Sequence, residues 1–337
     1  MAMCMSNRAS ERRGVRRLNP LRDLGQVVNV IAEGFGDDLT PEGQRALKEM
    51  RLLSRLRPLL WWLAITSPDF HEYHSGFVWV EEGQIVGTMH ITRPNSHARR
   101  WLISNVAVQS EYRGRGIARS LMERALDWAR EQGGKAVFLR ARRDNAAAWS
   151  LYQHLGFQPL YDSVELRLDR VPTVRRVSSD NAILVPYRPQ QWLQVRNMAR
   201  AIIPSQARWL EPIRVSDFHP TLERRLSEWW AGLTKGFKVH RLVVRRDEQI
   251  IAALAVKIAT RRGAHSLLIR VRPDCQGQVE EMLVTEALRR LEAHPNKRTL
   301  INLPVNYAEI MDVLQRYGFK EQKTLALMRR SLHQRDQ

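Results

Sequence analysis

Residues 101–119 read WLISNVAVQSEYRGRGIAR, and the fold turns on how this stretch is parsed. The apolar, β-branched run Leu102–Val108 has the length of a buried strand. After a polar break come Arg113-Gly114-Arg115-Gly116, and then Ile117, Leu121, Ala125 and Trp128 recur at helical spacing. A strand, a glycine-bearing turn and a helix N-terminus make an anion site, because several N–H groups there lack helical partners and the helix dipole adds partial positive charge. Gly114 and Gly116 carry no side chain to hold a phosphate off that backbone. Arg113, Arg115 and Arg119 add charge at the same place. On these residues alone an ordinary glycine turn stays open. Two named motifs are excluded by residue identity. A P-loop ends in Gly-Lys-Ser/Thr, which is missing, and a dinucleotide fingerprint needs a small residue where Arg119 stands.

Downstream, residues 145–157 read NAAAWSLYQHLGF. The two segments together resemble the GCN5-related N-acetyltransferase (GNAT) superfamily. Its acetyl-CoA signature, Arg/Gln-x-x-Gly-x-Gly/Ala, is met by Arg113, Gly116 and Ala118. Its second signature is met by Asn145, Leu151, Tyr152, Gly156 and Phe157. The resemblance implies an α/β fold on a mixed sheet, N-acyltransferase chemistry, and acetyl-CoA as co-substrate. It implies that the turn Arg113-Gly114-Arg115-Gly116-Ile117-Ala118-Arg119 holds the pyrophosphate, and that Val106, Ala107 and Val108 form the bulged strand edge that pairs with pantetheine. By the same resemblance Asn145 contacts the cofactor arm, although a plain helix cap explains it as well. Tyr152 is then the general acid toward the thiolate. The base is open. Ribosomal-protein N-terminal acetyltransferases place a Glu five residues before the Asn, where this chain has Arg140. That departure argues against the same acceptor and base, and His90, Glu81 and Glu82 are substitutes no stronger than ordinary surface residues.

A length of 337 residues suits two domains. No apolar run reaches the ~18 residues needed to span a bilayer, so no membrane role is expected. The N-terminal residues 1–14 are basic, lack the apolar core of a signal peptide, and read as a disordered tail. Cys4 and Cys275 give neither a disulfide framework nor zinc spacing, which suits a reducing cytoplasm. His71-Glu72-Tyr73-His74 lacks the His-Glu-x-x-His spacing, and no metal is expected. The formal charge of +19 favours polyanions. Its arginines are scattered in pairs, however, with no basic block interleaved with aromatics, so a nucleic-acid partner is possible but not favoured.

In chain order the first domain spans 15–171. It opens with a short strand at Val15–Leu18 and a helix at Leu21–Phe35. A variable stretch, residues 37–76, carries Trp61-Trp62, and in the family this region helps form the acceptor site. A hairpin turning at Glu82-Gly83 follows, then the central strand and helix, a strand at Ala136–Ala141, a helix capped by Asn145, and closing strands around Val164, Leu166 and Leu168. Residues 172–181 read as a polar linker. Beyond it, over 182–333, the chain repeats itself at an offset of roughly 160 residues. Gln84-Ile85-Val86-Gly87 is echoed by Gln249-Ile250-Ile251-Ala252, Trp61-Trp62 by Trp229-Trp230, and Leu155-Gly156-Phe157 by Tyr317-Gly318-Phe319. The copies differ chemically. Val279 takes the place of Gly116, Glu280-Glu281 that of Ile117-Ala118, and Leu314 that of Tyr152. Carboxylates at a phosphate-binding helix N-terminus repel the phosphate, so the second copy is expected to be degenerate. The expected whole is two tandem GNAT-like domains, monomer or homodimer, acetylating an amine that the sequence does not identify. Transfer of another acyl group, or a basic RNA- or ribosome-associated binding module on the same fold, are the alternatives.

Overall fold

The computed structural model describes residues 13–36, 41–56, 75–93, 99–179, 181–202, 236–261 and 263–332. The pairs Trp61-Trp62 and Trp229-Trp230, the His71–His74 segment and the N-terminal residues 1–12 lie outside them. The chain divides into two compact units, one made of residues up to Leu160 together with Ala326 onward, the other of Tyr161–Leu325.

The first unit begins with β1 (Arg13–Arg17), α1 (Pro20–Phe35) and α2 (Pro41–Arg55), followed by β2 (Gly76–Glu81), β3 (Gln84–Thr92) and β4 (Arg100–Val108). It continues with α3 (Ile117–Glu131), β5 (Ala136–Arg142) and α4 (Ala146–His154). Its strands run in the order β1-β2-β3-β4-β5, antiparallel except for the parallel β4–β5 pair. Alternation along the strands sends neighbouring side chains to opposite faces. Val78, Val80 and Ile85 pack with Val27, Val28 and Ile31 of α1, while Phe77, Val86 and Met89 pack with Leu121, Met122 and Ala125 of α3. The start of α1 is pinned by buried Asp23, which accepts from Arg16 at 2.6 and 2.8 Å and from the Asn19 N–H at 2.8 Å.

The second unit repeats the order with β7 (Ile183–Pro186), α5 (Trp192–Ile202), β8 (Phe237–Arg246), β9 (Gln249–Ala259) and β10 (His265–Val271). Then come α6 (Glu280–Glu292), β11 (Thr299–Pro304), α7 (Ala308–Arg316) and β12 (Lys320–Ser331). In place of several closing strands after Gly156 there is one strand, β6 (Gln158–Leu168). From Tyr161 it belongs to the second unit, where it pairs antiparallel with β11 from Ser163 to Leu168 and buries Val164, Leu166 and Leu168 in that unit's core. The segment beside β5 in the first unit comes instead from the end of the chain. Ala326, Met328 and Leu332 join the α3 core, and the Leu332 N–H donates to the Lys135 carbonyl at 2.9 Å. The compact units thus part at Leu160/Tyr161 and Leu325/Ala326, whereas the polar stretch expected as a linker packs on the second unit through Val174 and a Val177 N–H bond to Thr285.

Met328 and Leu332 are buried, and each contributes roughly 1.5–3 kcal/mol, together a large share of a total stability of about 5–15 kcal/mol. A chain ending at Leu325 is therefore expected to lose cooperative unfolding of the first unit, read by circular dichroism on heating. A first unit that melts as in the full chain would contradict this assignment of its last strand.

Candidate active site

The register of β4 with β5 ends at Ile103 and Leu139, while β4 runs on to Val108. Against β3, the same strand sets two residues, Asn105 and Val106, opposite the single residue Met89. This is a β-bulge, which bends a strand and increases its twist. Asn105 carries it at φ 52°, a left-handed conformation that Asn tolerates better than most residues. Its Nδ2 stands 3.1 Å from Nδ1 of buried His90 on β3. Where β4 leaves β5, a cavity of about 370 Å³ opens.

Most of the residues expected from sequence meet there. Val106, Ala107 and Val108 form the strand wall, Asn145 and Tyr152 the α4 wall, and Arg113, Gly114, Gly116, Ile117, Ala118 and Arg119 the turn between. Arg115 does not line the cavity; it donates to the Glu111 carbonyl at 3.0 Å and lies over the Tyr112 ring at 4.9 Å. Gly114 and Gly116 sit at φ 76° and 75°, and Gly116 is the N-cap of α3. No described side chain caps this helix and its first turn holds no acid. The Ser120 N–H is bonded to the Gly116 carbonyl at 3.0 Å, so the amides of Ile117, Ala118 and Arg119 precede the first helical bond and border the cavity. Bare amides, two glycines and two guanidinium groups fit a diphosphate. Arg119 is otherwise engaged with Glu123 at 2.8 Å in an exposed pair, worth about 0–1 kcal/mol, so an incoming anion displaces it at little cost.

Asn145 does cap α4, its Oδ1 accepting from the Ala148 N–H at 3.0 Å, and it also borders the cavity. Tyr152 is 8% exposed and packs edge-on to Phe157 at 6.1 Å. Burial pushes its phenol up to about 12, and among the described residues its hydroxyl has no hydrogen-bond partner. His90, Glu81 and Glu82 lie outside the lining, and Glu81 is tied to Arg13 and Trp79 at 3.1 and 3.0 Å. Sequence reasoning missed Gly34, although a glycine inside an apolar helix was a signal. A Cβ there would lie 2.7 Å from the Ala107 Cβ, so the glycine is what lets α1 approach β4. Next to it, Glu33 accepts from the Ser110 N–H and hydroxyl at 2.8 and 2.7 Å, bonds that hold its carboxyl below the usual range and anchor the loop into the turn.

The second unit offers the same frame with different contents. Val279 is the N-cap of α6 and Tyr307 that of α7, matching Gly116 and Asn145, and Leu314 stands seven residues past its cap as Tyr152 does. Glu280 is 2% exposed; it accepts from the Val279 N–H at 3.1 Å and from the Tyr307 hydroxyl at 2.5 Å. Burial and the adjacent carboxylate push the Tyr307 phenol up. A side-chain carboxylate thus takes up the amide at the α6 cap and ties it to the start of α7.

Residues 39–157 match the acetyltransferase (GNAT) family. N-acetyltransferase 8B of Rattus norvegicus is 33% identical over 126 residues, 31% of this chain and 56% of that protein. N-alpha-acetyltransferase RimI of Mycobacterium tuberculosis is 36% identical over 104 residues, 29% of this chain and 63% of that protein. The chain spans about half to two thirds of the length of these relatives. In fold, a GCN5-related N-acetyltransferase from Sphaerobacter thermophilus matches 95% of both chains with a TM-score of 0.62 at 14% identity. A tandem GNAT protein from the clavulanic acid biosynthesis pathway matches 96% of this chain and 100% of its own with a TM-score of 0.59 at 14% identity. The GNAT fold is therefore the fold of this chain, in tandem.

A β-branched residue at Gly116 must adopt a left-handed conformation costing about 1–2 kcal/mol. Gly116→Val is expected to lower Tm by roughly 2–8 °C, and Gly116→Asn by clearly less. Equal losses in calorimetric melts would mean that backbone conformation is not what requires the glycine.

Proposed function

We propose that the first unit is an acetyl-CoA-dependent N-acetyltransferase that passes the acetyl group to an amine by direct attack in a ternary complex, and that the second unit is a degenerate copy. The observation that carries this reading is the uncapped N-terminus of α3, opening between β4 and α4 with Gly116 as its cap. The relatives named N-acetyltransferases support the reaction class. Two cysteines in 337 residues fit a cytoplasmic setting.

In this reading the amides of Ile117, Ala118 and Arg119, with the Arg113 and Arg119 guanidinium groups, hold the diphosphate, and β4 from Val106 to Val108 aligns the pantetheine arm. Holding the thioester in place removes translational and rotational freedom from the reaction. An N–H on the bent edge of β4 stabilises the oxygen that becomes negative as the amine adds. The neutral amine attacks the carbonyl carbon, the C–S bond breaks, and sulfur leaves as thiolate. Tyr152 stands on the opposite wall with its proton in place. Burial holds the Tyr152 phenol above its ordinary value and well above a thiol of about 8.5, so complete transfer is uphill. Tyr152 therefore acts first as a hydrogen-bond donor to the departing sulfur, and the proton lost by the nitrogen leaves through water. In the second unit, Glu280 and Tyr307 take the space and the amide that an incoming diphosphate needs, and leave a negative group beside them.

Calorimetric titration of the full chain with acetyl-CoA is expected to give one site per chain, lost in Gly116→Val. No binding, or two equivalent sites, would overturn the assignment. In a free-thiol assay over a panel of amines, Tyr152→Phe is expected to lower kcat on the order of 100-fold with cofactor affinity unchanged. Undiminished turnover would remove Tyr152 from the reaction.

A further inference from the structure

The second unit contains another cavity, of about 170 Å³, on the sheet face that carries α5. Strand register builds it. Ala253 of β9 stands between Val243 of β8 and Arg270 of β10, and Ala255 stands between Arg241 and Leu268. Residues directly opposite one another share a face, so two methyl groups form a floor edged by an arginine on each side. β8 and β10 lie about two strand spacings, or 10 Å, apart, a gap that two arginine side chains can close on one small anion. Val195 of α5 and Tyr187 also line it, and the Tyr187 N–H donates to the Arg241 carbonyl at 3.0 Å. Burial raises the Tyr187 phenol, which therefore keeps its proton and can donate it in a hydrogen bond. Among the described residues, no aspartate or glutamate lines the cavity.

The corresponding place in the first unit is built differently. Gly87 pairs with Val108 as Ala252 pairs with Val271, which makes Ala107 the counterpart of Arg270. There Gly34 brings α1 directly onto Ala107. Between the two copies, a contact of small residues has been replaced by a space with a guanidinium group at its edge.

We propose that this cavity binds a small organic anion, a carboxylate carrying a short aliphatic body. The carboxylate matches the planar donor fork of an arginine. Val195, Val243 and Leu268 offer apolar walls that a bare phosphate leaves unused. The volume equals that of about five or six water molecules in the liquid, which suits a body of a few carbons and excludes a nucleotide. Leu268, 38% exposed, marks the mouth.

The test is a ligand-observed NMR titration of the full chain with valerate, and with valeramide and inorganic phosphate in parallel. Valerate is expected to bind saturably, one per chain. Arg270→Gln and Arg241→Gln each weaken it by about tenfold or more, and Ala255→Leu, which fills the floor without touching a charge, abolishes it while the protein still melts cooperatively. Absence of saturable valerate binding, binding indifferent to Ala255→Leu and Arg270→Gln, or phosphate or valeramide binding as tightly as valerate would overturn the proposal. The readout involves neither acetyl-CoA nor turnover, so it succeeds or fails independently of the acetyl-transfer reading.

Discussion

A parallel strand pair that separates partway along its length is the constraint on which the first unit depends. β4 and β5 stay in register only as far as Ile103 and Leu139, and the bulge at Asn105–Val106 turns the rest of β4 aside. Backbone groups freed in this way need other partners. A helix whose first amides are equally unpaired begins at the same opening, because Gly116 caps it in a conformation that supplies no side-chain acceptor. An extended ligand with an anionic end has the chemistry to satisfy both sets of groups together.

The second unit shows the same constraint met from within. Its β10–β11 register likewise ends early, at Leu267 and Ile301, yet Glu280 and Tyr307 meet across the start of α6 and α7 and are buried there. A buried carboxylate without partners is strongly disfavoured. This one has an N–H and a phenol, which is why the substitution is tolerated. The two copies therefore keep one backbone, and in the second a buried side chain takes up the amide at the helix cap that the first leaves bare.

Much of this was legible in residue order. The glycines and arginines of 113–119 marked the turn, helical spacing marked α3, and the Asn145-to-Tyr152 interval put both residues on the cavity side of α4. The echo of Leu155-Gly156-Phe157 in Tyr317-Gly318-Phe319 set Leu314 against Tyr152 from sequence alone. Arg115 was not distinguishable from its neighbours in sequence, because whether an arginine faces a cleft or folds back on a tyrosine depends on the local turn geometry. Asn105 and Gly34 were missed for a related reason. A bulge and a close helix–strand approach each involve two segments distant in sequence, and only one partner is visible at a time.

Local chemistry, then, was decided by sequence: which segment is strand, turn or helix, where glycine is required, and that the second copy carries acid where the first has bare backbone. Tertiary structure alone decided which strand completes which sheet. Periodicity shows that Val164, Leu166 and Leu168 want one apolar face, but the same alternation suits either unit's sheet edge. Residues from Tyr161 went to the second unit and those from Ala326 to the first, because strand pairing is settled by the backbone partners and core vacancies available in the folded chain, which no single segment encodes.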